Sequence, residues 1–436
     1  MHRICQHSNR HQPVQVVPHI TDEIKERILI LRQFNPDIII TEIGGTVGDI
    51  ESLPFLEAIR QLGLEYGKEN VIYIHLTLLI NLKVTGEIKT KPTQHSVSKL
   101  REIGIAPDFL ICRTERDVPE DIKNKISLFT NVEKEHIIIE NDVKKSIYEL
   151  PLLFEQQKIH KKILDRLGLK IDDGFNIDDW IAINKIINFP KDSVNIAIVG
   201  KYINLLDSYK SVVEALNHGA IENELSVNLI KVEASEGNVI EKIKNADGII
   251  IPGGFGYRGV EGKIEAIKYA RENNIPFLGL CLGLQCAIIE CARNVCNLHG
   301  ANSTEFDLNT PYPVVDLMKE QKELKNLGGT MRLGSYTCVI KENSLAYKLY
   351  KKSEVKERHR HRYEFNNKYS DIFEKKGFII SGVDKNSGLV EIVENKNHPF
   401  FIGVQFHPEF QSKPTQSHPL FSGFIRSSYK NKIKNG

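Results

Sequence analysis

A cysteine between two glycines is the most informative chemical feature of the sequence. The apolar run Pro276–Leu280 leads into Cys281, and Gly279 and Gly283 stand two residues on either side. Such glycines permit the tight strand-to-helix turn that exposes a nucleophile, and a helix N-terminus activates a thiol and offers N–H groups to an oxyanion. The alternative is a buried structural cysteine, as we interpret Cys286, but burial does not require the glycine pair. We therefore predict that Cys281 is a nucleophile.

A histidine and a carboxylate stand two residues apart after another apolar segment. The run Phe400–Phe406 predicts a strand, and His407, Pro408 and Glu409 follow it directly. A nucleophilic cysteine needs a base, and the base needs a group that orients it. Side chains just past a strand end would project from one sheet edge toward the cysteine. We therefore predict a Cys–His–Glu constellation, while an ordinary surface histidine is the alternative.

A glycine-rich loop precedes the cysteine motif. Gly254, Gly256 and Gly259 satisfy the spacing G-x-G-x-x-G between a predicted strand and a predicted helix. That spacing is typical of dinucleotide-binding loops. The alternative is a loop whose backbone N–H groups face an oxyanion. Because a predicted nucleophile is the next motif along the chain, we favour the oxyanion loop.

Two polar segments in the first half have the composition of a nucleotide site. Thr41–Ser52 contains three carboxylates and three glycines after a predicted strand, and Gly86–Ser96 contains two lysines and three hydroxyl side chains. Carboxylates suit Mg²⁺ and sugar hydroxyls, and the edge where parallel strands end is where α/β sheets bind ligands. The lysines and hydroxyl groups suit a triphosphate. A solvated polar loop is the alternative for each segment, but the type and order of the residues favour nucleotide binding.

Alternating helix and strand patterns predict an α/β fold in both halves. In the first half we predict helices at Thr21–Phe34 and Leu53–Tyr66 and strands at Asp37–Glu42, Val71–Leu76 and Ile137–Ile139. In the second half we predict strands at Val194–Val199, Val227–Val232, Gly248–Ile251 and Pro276–Leu280, with helices at Tyr209–Asn217, Val239–Lys244 and Glu261–Asn273. Residues 169–192 lack this regularity. We interpret them as an interdomain linker, while a long surface loop is the alternative.

Composition excludes several classes of protein. The 436 residues carry 58 Lys and Arg against 56 Asp and Glu, a net charge of +2 that does not favour a nucleic-acid binder. The most apolar stretch, Ile275–Ile289, is too short and interrupted for a membrane span. Seven cysteines, most of them in apolar or helical contexts, indicate a reducing cytoplasm. Residues 1–12 are polar and predict a disordered leader, and a metal-binding histidine tract is the alternative.

Three strings resemble the signature motifs of class I glutamine amidotransferases. They are Pro252–Gly254, Gly279–Gly283 and His407–Glu409, and their order and spacing also fit. The resemblance implies a doubly wound α/β domain that hydrolyses glutamine to glutamate and ammonia. It implies that Cys281 is the nucleophile, His407 the base and Glu409 the residue that orients the base. It also assigns the oxyanion N–H groups to Gly254 and Leu282.

From about Val14 to Phe424 the chain resembles the CTP synthase family. The matching strings are Thr41–Ser52, Gly86–Ser96, Tyr209–Ser211, Ala301–Phe306, Leu327–Gly334 and Arg358–Glu364. CTP synthases phosphorylate O4 of UTP with ATP and Mg²⁺, and ammonia from glutamine displaces that phosphate. The resemblance implies a cytoplasmic ligase of pyrimidine biosynthesis, a homotetramer in the family. It also implies activation by GTP that involves the loop Phe255–Arg258.

The same resemblance implies the ligand-binding residues. Glu42 would hold Mg²⁺, and Arg362 would bind the glutamine carboxylate while Glu305 binds its ammonium group. The full glutamine set is Gly254, Gln285, Glu305 and Arg362. UTP and the inhibitor CTP would contact Asp49, Ile50, Glu51, Lys89, Thr90, Lys91, Pro92, Thr93 and Gln94.

The sequence departs from the family in two places. CTP synthases carry a glycine-rich P-loop upstream of the Glu42 motif, but the printed residues contain no G-x-x-x-x-G-K-[ST]. We therefore expect two doubly wound parallel-sheet domains, namely a truncated P-loop-type amidoligase domain at 13–168 that lacks its central strand, and a class I glutamine amidotransferase domain at 193–430. Asn141 stands where the family usually has a basic residue for the nucleotide, and Lys144 or Lys145 is the alternative.

Two hypotheses of function follow. In the first, the chain is a CTP synthase whose glutaminase half is competent and whose synthetase step is impaired because the ATP site is incomplete. In the second, it is a non-catalytic remnant or an interaction partner of a full-length CTP synthase. The retained Cys281, His407 and Glu409 favour the first hypothesis, and the missing phosphate loop favours the second for the first half. We expect small-molecule ligands, no nucleic acid and no membrane.

Overall fold

A computed structural model describes residues 14–170, 175–203, 208–317 and 331–435. The chain divides into two compact units, Met1–Ile181 and Ala182–Gly436. The predicted leader, residues 1–12, lies outside the described residues. Within the predicted linker, residues 171–174 also lie outside them, and the helix Asp178–Asn188 occupies much of the rest. The domain borders at 168 and 193 stay predictions.

The amino-terminal unit alternates helices with short strands. Its helices are α1 (Thr21–Leu29), α2 (Leu53–Tyr66), α3 (Lys91–Glu102), α4 (Glu120–Thr130), α5 (Leu150–Gln156) and α6 (Ile159–Arg166), and α7 (Asp178–Asn188) begins in this unit. Its strands are β1 (Ile74–Leu78), β2 (Ile80–Leu82), β3 (Glu87–Lys89), β4 (Phe109–Thr114) and β5 (Ile137–Asn141). The predicted helix Leu53–Tyr66 is confirmed, because α2 has the same bounds.

A parallel sheet in the order β1-β4-β5 forms the centre of this unit. The core combines apolar side chains of the sheet with those of α3 and α4, such as Val97, Leu110, Ile126 and Ile137. Strands β2 and β3 form a separate antiparallel pair. The sheet is therefore small, and its core is correspondingly limited.

The prediction of a buried strand at Asp37–Glu42 is wrong. The described structure gives these residues no regular secondary structure, and Ile40 is 90% exposed. A parallel strand is stable only when neighbouring strands satisfy its backbone groups and both of its faces are covered. Among the described residues of this unit, none of the strands β1, β4 and β5 pairs with this segment. An apolar run without a partner strand therefore stays irregular.

The carboxy-terminal unit contains a larger set of elements. Its strands are β6 (Asp192–Gly200), β7 (Leu225–Glu233), β8 (Gly248–Ile251), β9 (Phe277–Leu280), β10 (Asn302–Ser303), β11 (Pro313–Leu317), β12 (Arg332–Ile340), β13 (Glu354–His361), β14 (Tyr363–Phe365), β15 (Phe378–Asp384), β16 (Val390–Asn395) and β17 (Phe401–Val404). Its helices are α8 (Lys210–Glu222), α9 (Val239–Ile243), α10 (Val260–Glu272), α11 (Leu282–Asn294), α12 (Leu345–Tyr350), α13 (Ser370–Lys375) and α14 (Pro419–Asn435). The predicted elements of this half are present with shifts of a few residues.

A nine-stranded sheet in the order β13-β12-β15-β16-β17-β9-β8-β6-β7 organises this unit. The strands from β17 to β7 are parallel, and the strands from β13 to β16 extend the sheet in antiparallel pairs. The first strand of this sheet along the chain is β6, and the next two strands, β7 and β8, pair with opposite edges of β6. Such a reversal creates a crevice at the carboxyl ends of the strands.

Helices cover both faces of the parallel strands. Ile249 and Ile251 of β8 pack with α10 and α11 in one core cluster, and Ile250 packs with α8 and α14 in another. This alternation is the period of two that a strand imposes on its side chains. The prediction of an α/β fold with parallel sheets is confirmed. In the described ranges no helix has the length and apolarity needed to cross a membrane.

Candidate active site

Cys281 occupies the turn between β9 and α11. Its backbone has φ +51° and ψ −101°, a strained conformation for a residue with a side chain. A Cβ on Gly279 would lie 2.8 Å from the Gly283 carbonyl carbon, and a Cβ on Gly283 would lie 2.2 Å from the Ile251 oxygen. Both glycines are thus required by the close packing of α11 on the sheet. The predicted strand-to-helix turn at Cys281 is confirmed.

The His–Glu pair reaches the same sheet edge because β17 lies beside β9. The Cys281 amide donates to the Val404 carbonyl over 2.7 Å, which joins the ends of the two strands. Beyond β17, the His407 backbone amide donates to the Arg358 carbonyl over 2.8 Å. The Nδ1 atom of His407 lies 2.8 Å from Oε1 of Glu409. The structure therefore brings Cys281, His407 and Glu409 together at one sheet edge, and their catalytic roles stay predictions.

The electrostatic surroundings of His407 favour its protonated form. Burial lowers the pKa of His407, but hydrogen bonds with Cys281 and Glu409 outweigh burial and raise this pKa to about 10. Glu409 is itself buried, so its carboxylate acts where solvent screens it little. A protonated imidazole facing the sulfur is the arrangement that activates cysteine nucleophiles as thiolates.

The loop after β8 borders the same two side chains. A Cβ on Gly253 would lie 2.8 Å from Cε1 of His407 and 3.6 Å from Cβ of Cys281. A Cβ on Gly254 would lie 3.4 Å from the Leu282 side chain. Leu282 begins α11, and the first N–H groups of a helix have no partner within the helix. Gly254 and Leu282 therefore lie where backbone donors could face an oxyanion.

Three of the predicted glutamine-binding residues, Gln285, Glu305 and Arg362, lie near Tyr363. Gln285 Nε2 donates to the Tyr363 carbonyl over 2.9 Å. Burial raises the pKa of Tyr363, Glu305 adds to this rise, and Arg362 opposes it, so both charged groups lie within electrostatic range of the phenol. Glu305 also accepts the Gly256 amide over 2.9 Å, which ties it to the glycine loop.

In the amino-terminal unit, the predicted nucleotide residues fall into two groups. A pocket of about 420 Å³ is lined by Glu42, Ile43, Gly44, Gly45, Asp49, Glu51, Ser52 and Phe55. Asp49 accepts the Thr46 amide over 3.2 Å, so its carboxylate shapes the loop. Ile50 is largely exposed beside this pocket. The structure therefore places Glu42, Asp49 and Glu51 on the lining of one pocket.

The second group, Lys89–Gln94, does not line that pocket. Lys89 ends β3 and pairs with Glu87 over 2.7 Å. Lys91 and Pro92 begin α3, and the Lys91 ammonium lies 5.7 Å from the centre of the Phe129 ring. The side chains of Thr90, Thr93 and Gln94 are buried, and Gln94 donates to Thr90 over 3.1 Å. This segment is therefore a packed helix start rather than an open loop.

The structure gives little support for the predicted metal site or for nucleotide binding around Asn141. In the described ranges, no three His, Cys, Asp or Glu side chains are arranged to hold a metal ion. Asn141 donates to Asp117 over 2.7 Å, which uses the side chain in a local contact. Lys144 and Lys145 are exposed. The nucleotide role of this stretch stays a prediction.

Sequence reasoning missed two features of the carboxy-terminal unit. Gln405 is fully buried, and its Nε2 lies 3.7 Å from the Cys281 sulfur. Arg332 is buried among carboxylates, with contacts of 2.6 Å to both Asp384 and Glu391. A polar residue inside an apolar strand was the available signal for Gln405. For Arg332 there was none, because its partners come from other strands.

A parallel sheet whose strand ends carry a strained cysteine, a His–Glu pair and a glycine loop defines a class I glutamine amidotransferase domain. The family model described as "Glutamine amidotransferase class-I" matches residues 204–427. The chain is also similar to the solved structure titled "Trypanosoma brucei CTPS - glutaminase domain with bound acivicin". That similarity covers 54% of this chain and 94% of the other, with 40% identity and a TM-score of 0.51.

The first half of the chain identifies the family. The model described as "CTP synthase N-terminus" matches residues 6–169. CTP synthase from Caldanaerobacter subterraneus subsp. tengcongensis is 55% identical over 426 residues, which cover 97% of this chain and 79% of the relative. CTP synthase from Methanocaldococcus jannaschii is 54% identical over 431 residues, with the same two coverages. The chain belongs to the CTP synthase family.

Proposed function

We propose that this chain is a CTP synthase in which Cys281 hydrolyses glutamine and releases ammonia for the amination of UTP to CTP, and that the amination step is impaired when the polypeptide acts alone. The observation that carries the glutaminase half is the meeting of Cys281, His407 and Glu409 at one sheet edge, with His407 2.8 Å from Glu409. Membership of the CTP synthase family supports the synthetase half. The two steps require separate arguments because they depend on different units.

In the glutaminase step, the Cys281 thiolate attacks the amide carbon of glutamine while His407 holds the proton. A sulfur–carbon bond forms, and the carbonyl electrons move to oxygen, which faces the N–H groups of Gly254 and Leu282. Collapse of this intermediate breaks the carbon–nitrogen bond, and His407 gives its proton to the departing ammonia. Water, activated by the same histidine, then hydrolyses the thioester and releases glutamate.

Recognition of glutamine follows from the groups around Tyr363. The two amide hydrogens of Gln285 are directed at the Tyr363 carbonyl and at Gln405, which leaves its oxygen as an acceptor for the substrate. Arg362 offers a planar cation that suits the substrate carboxylate, and Glu305 offers an anion for the ammonium group. Gly254 contributes its backbone.

For the synthetase step, the pocket around Glu42 is the proposed ligand site. Its lining carboxylates of Glu42, Asp49 and Glu51 are oxygen donors that suit Mg²⁺. Mg²⁺ commonly takes one or two carboxylates together with phosphate oxygens, so Glu42 with one neighbouring carboxylate would be enough protein ligands for an ion that a nucleotide phosphate also binds. Mg²⁺ would neutralise phosphate charge, and Glu42 would hold it. We assign UTP and CTP to Asp49–Glu51 together with Lys89–Gln94.

We propose that the ATP site of the synthetase half is incomplete in these residues. Phosphoryl transfer depends on positioning and charge neutralisation by loop amides, a lysine and Mg²⁺. The 436 residues contain no P-loop motif. We therefore expect this polypeptide, assayed alone, to form no CTP from UTP, ATP and ammonia at a useful rate.

Further family properties enter as proposals. GTP would activate the enzyme through the exposed loop Phe255–Arg258, where Lys201 donates to the Phe255 carbonyl. A homotetramer in the cytoplasm is the family arrangement. These assignments depend on the glutaminase and synthetase assignments above.

Replacement of Cys281 tests the proposal most directly. Cys281→Ala should abolish glutamate release from glutamine. Cys286→Ala is the matched control, because Cys286 lies one turn further along α11 and burial raises its pKa to about 11, which keeps it an inert thiol. Activity that survives in Cys281→Ala would refute the nucleophile. CTP formation measured with ammonia and separately with glutamine then tests the synthetase half.

A further inference from the structure

Gln405 is a polar side chain in an apolar position. It follows β17 directly, between Val404 and Phe406, and its exposure is 0%. Its backbone amide donates to the Glu391 carbonyl over 2.8 Å, which fixes the main chain. A buried amide side chain is costly unless its donors and acceptor have partners. The partners of Gln405 therefore indicate why it is there.

Both ends of the Gln405 amide face residues of the glutaminase site. Nε2 of Gln405 lies 3.7 Å from the sulfur of Cys281, a distance at which an N–H group donates to sulfur. Oε1 of Gln405 lies 3.3 Å from Nε2 of Gln285. Gln285 in turn donates to the Tyr363 carbonyl over 2.9 Å. The four residues form one chain of hydrogen bonds that ends at the sulfur.

The donors and acceptors in this series of hydrogen bonds can be arranged in only one way. The Tyr363 carbonyl is an acceptor only, so the Gln285 atom facing it must be the NH₂ nitrogen. That nitrogen also faces Gln405, and the facing atom of Gln405 must therefore be its oxygen. The remaining NH₂ group of Gln405 then points at Cys281. A carbonyl on β14 thus determines that the sulfur receives a donor and not an acceptor.

We propose that Gln405 is a hydrogen-bond donor to the reacting sulfur of Cys281, and that Gln285 is the positioning residue that holds the Gln405 amide in this orientation. The proposal rests on the assignment of Cys281 as nucleophile. It deepens that assignment by giving the sulfur a second polar neighbour besides His407. It also gives Gln285 a role that does not depend on bound glutamine.

The chemical consequence follows from the charge of the nucleophile. A donor stabilises the thiolate more than the neutral thiol, because hydrogen bonds to charged acceptors are stronger. The same donor holds the sulfur in one rotamer, so that it meets the substrate carbon with little reorganisation. Gln405 should therefore affect the reactivity of the sulfur and the turnover rate, whereas the binding of glutamine should depend on it much less.

Two substitutions remove the donor in different ways. Gln405→Glu keeps an oxygen for Gln285 and replaces the NH₂ group facing the sulfur with an oxygen. Gln405→Met has a similar length and removes both polar groups. Gln416→Glu is the matched control, because Gln416 is exposed and the substitution makes the same change of side chain outside the site.

The measurement is alkylation of Cys281 by iodoacetamide in the full 436-residue chain, followed peptide by peptide from pH 5 to pH 10. Gln405→Met should react about tenfold more slowly at pH 7, the effect of losing one hydrogen bond to a charged group. Gln405→Glu should react more slowly still, because its carboxylate also repels the thiolate. The midpoint of their pH profiles should also move upward. In glutamine hydrolysis, kcat should fall by a similar factor while KM changes less than about threefold. Gln416→Glu should match the unsubstituted chain.

Several outcomes separate this proposal from the alternatives. Folded Gln405 variants with an unchanged pH profile and unchanged kcat would overturn it and leave Gln405 as a packing residue. If neither variant folds, Gln285→Met keeps Gln405 in place and should still slow alkylation, and normal alkylation there would also overturn the proposal. Glutamine hydrolysis by Cys281→Ala would instead overturn the proposed function itself.

Discussion

The two units use the same kind of parallel sheet but cover it to different extents. In the carboxy-terminal unit, every residue of β8, β9 and β17 is buried. In the amino-terminal unit, Ile74, Leu76 and Leu78 of β1 are 44%, 61% and 54% exposed. All three side chains lie on one face of the strand, since side chains in a strand alternate with a period of two. One sheet is thus enclosed, and the other presents an apolar face to solvent.

The difference explains why the two candidate sites are unequal. Three neighbouring strands, β8, β9 and β17, each deliver one motif to a single edge, and their burial on both faces fixes the positions of those motifs. The nucleotide pocket, by contrast, is lined by residues between Glu42 and Phe55. This segment begins in an irregular and largely exposed stretch of the chain, not at the end of a buried strand. The glutaminase residues are therefore held in place by a sheet that is buried on both faces, whereas the residues of the nucleotide pocket are not.

The largest expected effect is a difference in backbone protection between the units. Amides of Val194–Val199 in β6 should exchange with solvent only on global unfolding, because β6 is paired with both β7 and β8. Amides of Asp37–Ile40 should exchange as a mobile loop does, faster by at least about 1,000-fold. Hydrogen exchange with mass spectrometry measures both segments in one sample.

Limited proteolysis provides the complementary measurement. Cleavage should occur before or within residues 169–192 and leave a resistant carboxy-terminal fragment. Slow exchange at Asp37–Ile40 would break the comparison, because it would mean that this segment and the exposed face of β1 have found another partner.

The second prediction concerns the buried charges of the enclosed unit. Arg332 pairs with Asp384 and Glu391 at 2.6 Å each and approaches Glu364 at 3.5 Å. Arg332→Met should destabilise the carboxy-terminal unit by about 3–5 kcal/mol, because it leaves buried carboxylates without their cation. Chemical denaturation followed by hydrogen exchange of β8 peptides would measure the loss.

A matched control for Arg332 is Lys385→Met. The ion pair of Lys385 with Glu354, at 2.9 Å, is exposed on both sides, and its loss should cost at most about 1 kcal/mol. The single tryptophan, Trp180, lies in the amino-terminal unit. Its fluorescence should therefore report the unfolding of the amino-terminal unit, separately from that of the carboxy-terminal unit. Equal effects of the two substitutions would contradict the prediction.

The third prediction compares one substitution in the two sheets. Leu278 of β9 is fully buried, and Leu278→Ala should cost about 2–5 kcal/mol. Leu76→Ala in the exposed face of β1 should cost less than about 0.5 kcal/mol. Denaturation midpoints of the two units measure both values. A large cost at Leu76 would show that β1 is covered in solution, which would again break the comparison.

How far the sequence predicts the structure depends on what each element needs. The helix Leu53–Tyr66 and the strand Gly248–Ile251 were predicted with the bounds that the structure has, because their signals are local. The strand at Asp37–Glu42 failed because a strand requires partners, which no local pattern guarantees. A local pattern therefore predicted an element correctly only where the rest of the fold supplied the partners that the element needs.

The candidate site divides in the same way. The positions of Cys281, His407 and Glu409 could be predicted because each motif directly follows an apolar strand, and strand ends meet at one edge. The contact of Gln405 with the sulfur depends on a side-chain amide oriented by Gln285 and Tyr363, which are distant in sequence. The Arg332 cluster likewise combines strands β12, β14, β15 and β16. Such contacts depend on how neighbouring strands are aligned with one another, and a single sequence does not reveal that alignment.

The smallest effect is the pH dependence that His407 gives to the carboxy-terminal unit. Its pKa of about 10 in the folded state exceeds the ordinary value of 6.5. The contribution of the protonated imidazole is therefore fully present below about pH 6.5 and is lost as pH rises through about 10. Glu409→Gln keeps an oxygen that can accept from His407 but removes the carboxylate charge that helps to raise this pKa. It should destabilise the unit at pH 7, by an amount that shrinks toward zero above pH 10, while the amino-terminal unit is unaffected. Denaturation of both proteins between pH 6 and pH 10.5 tests this, and a difference that stays constant with pH would assign the cost of Glu409→Gln to packing instead of to the charge of His407.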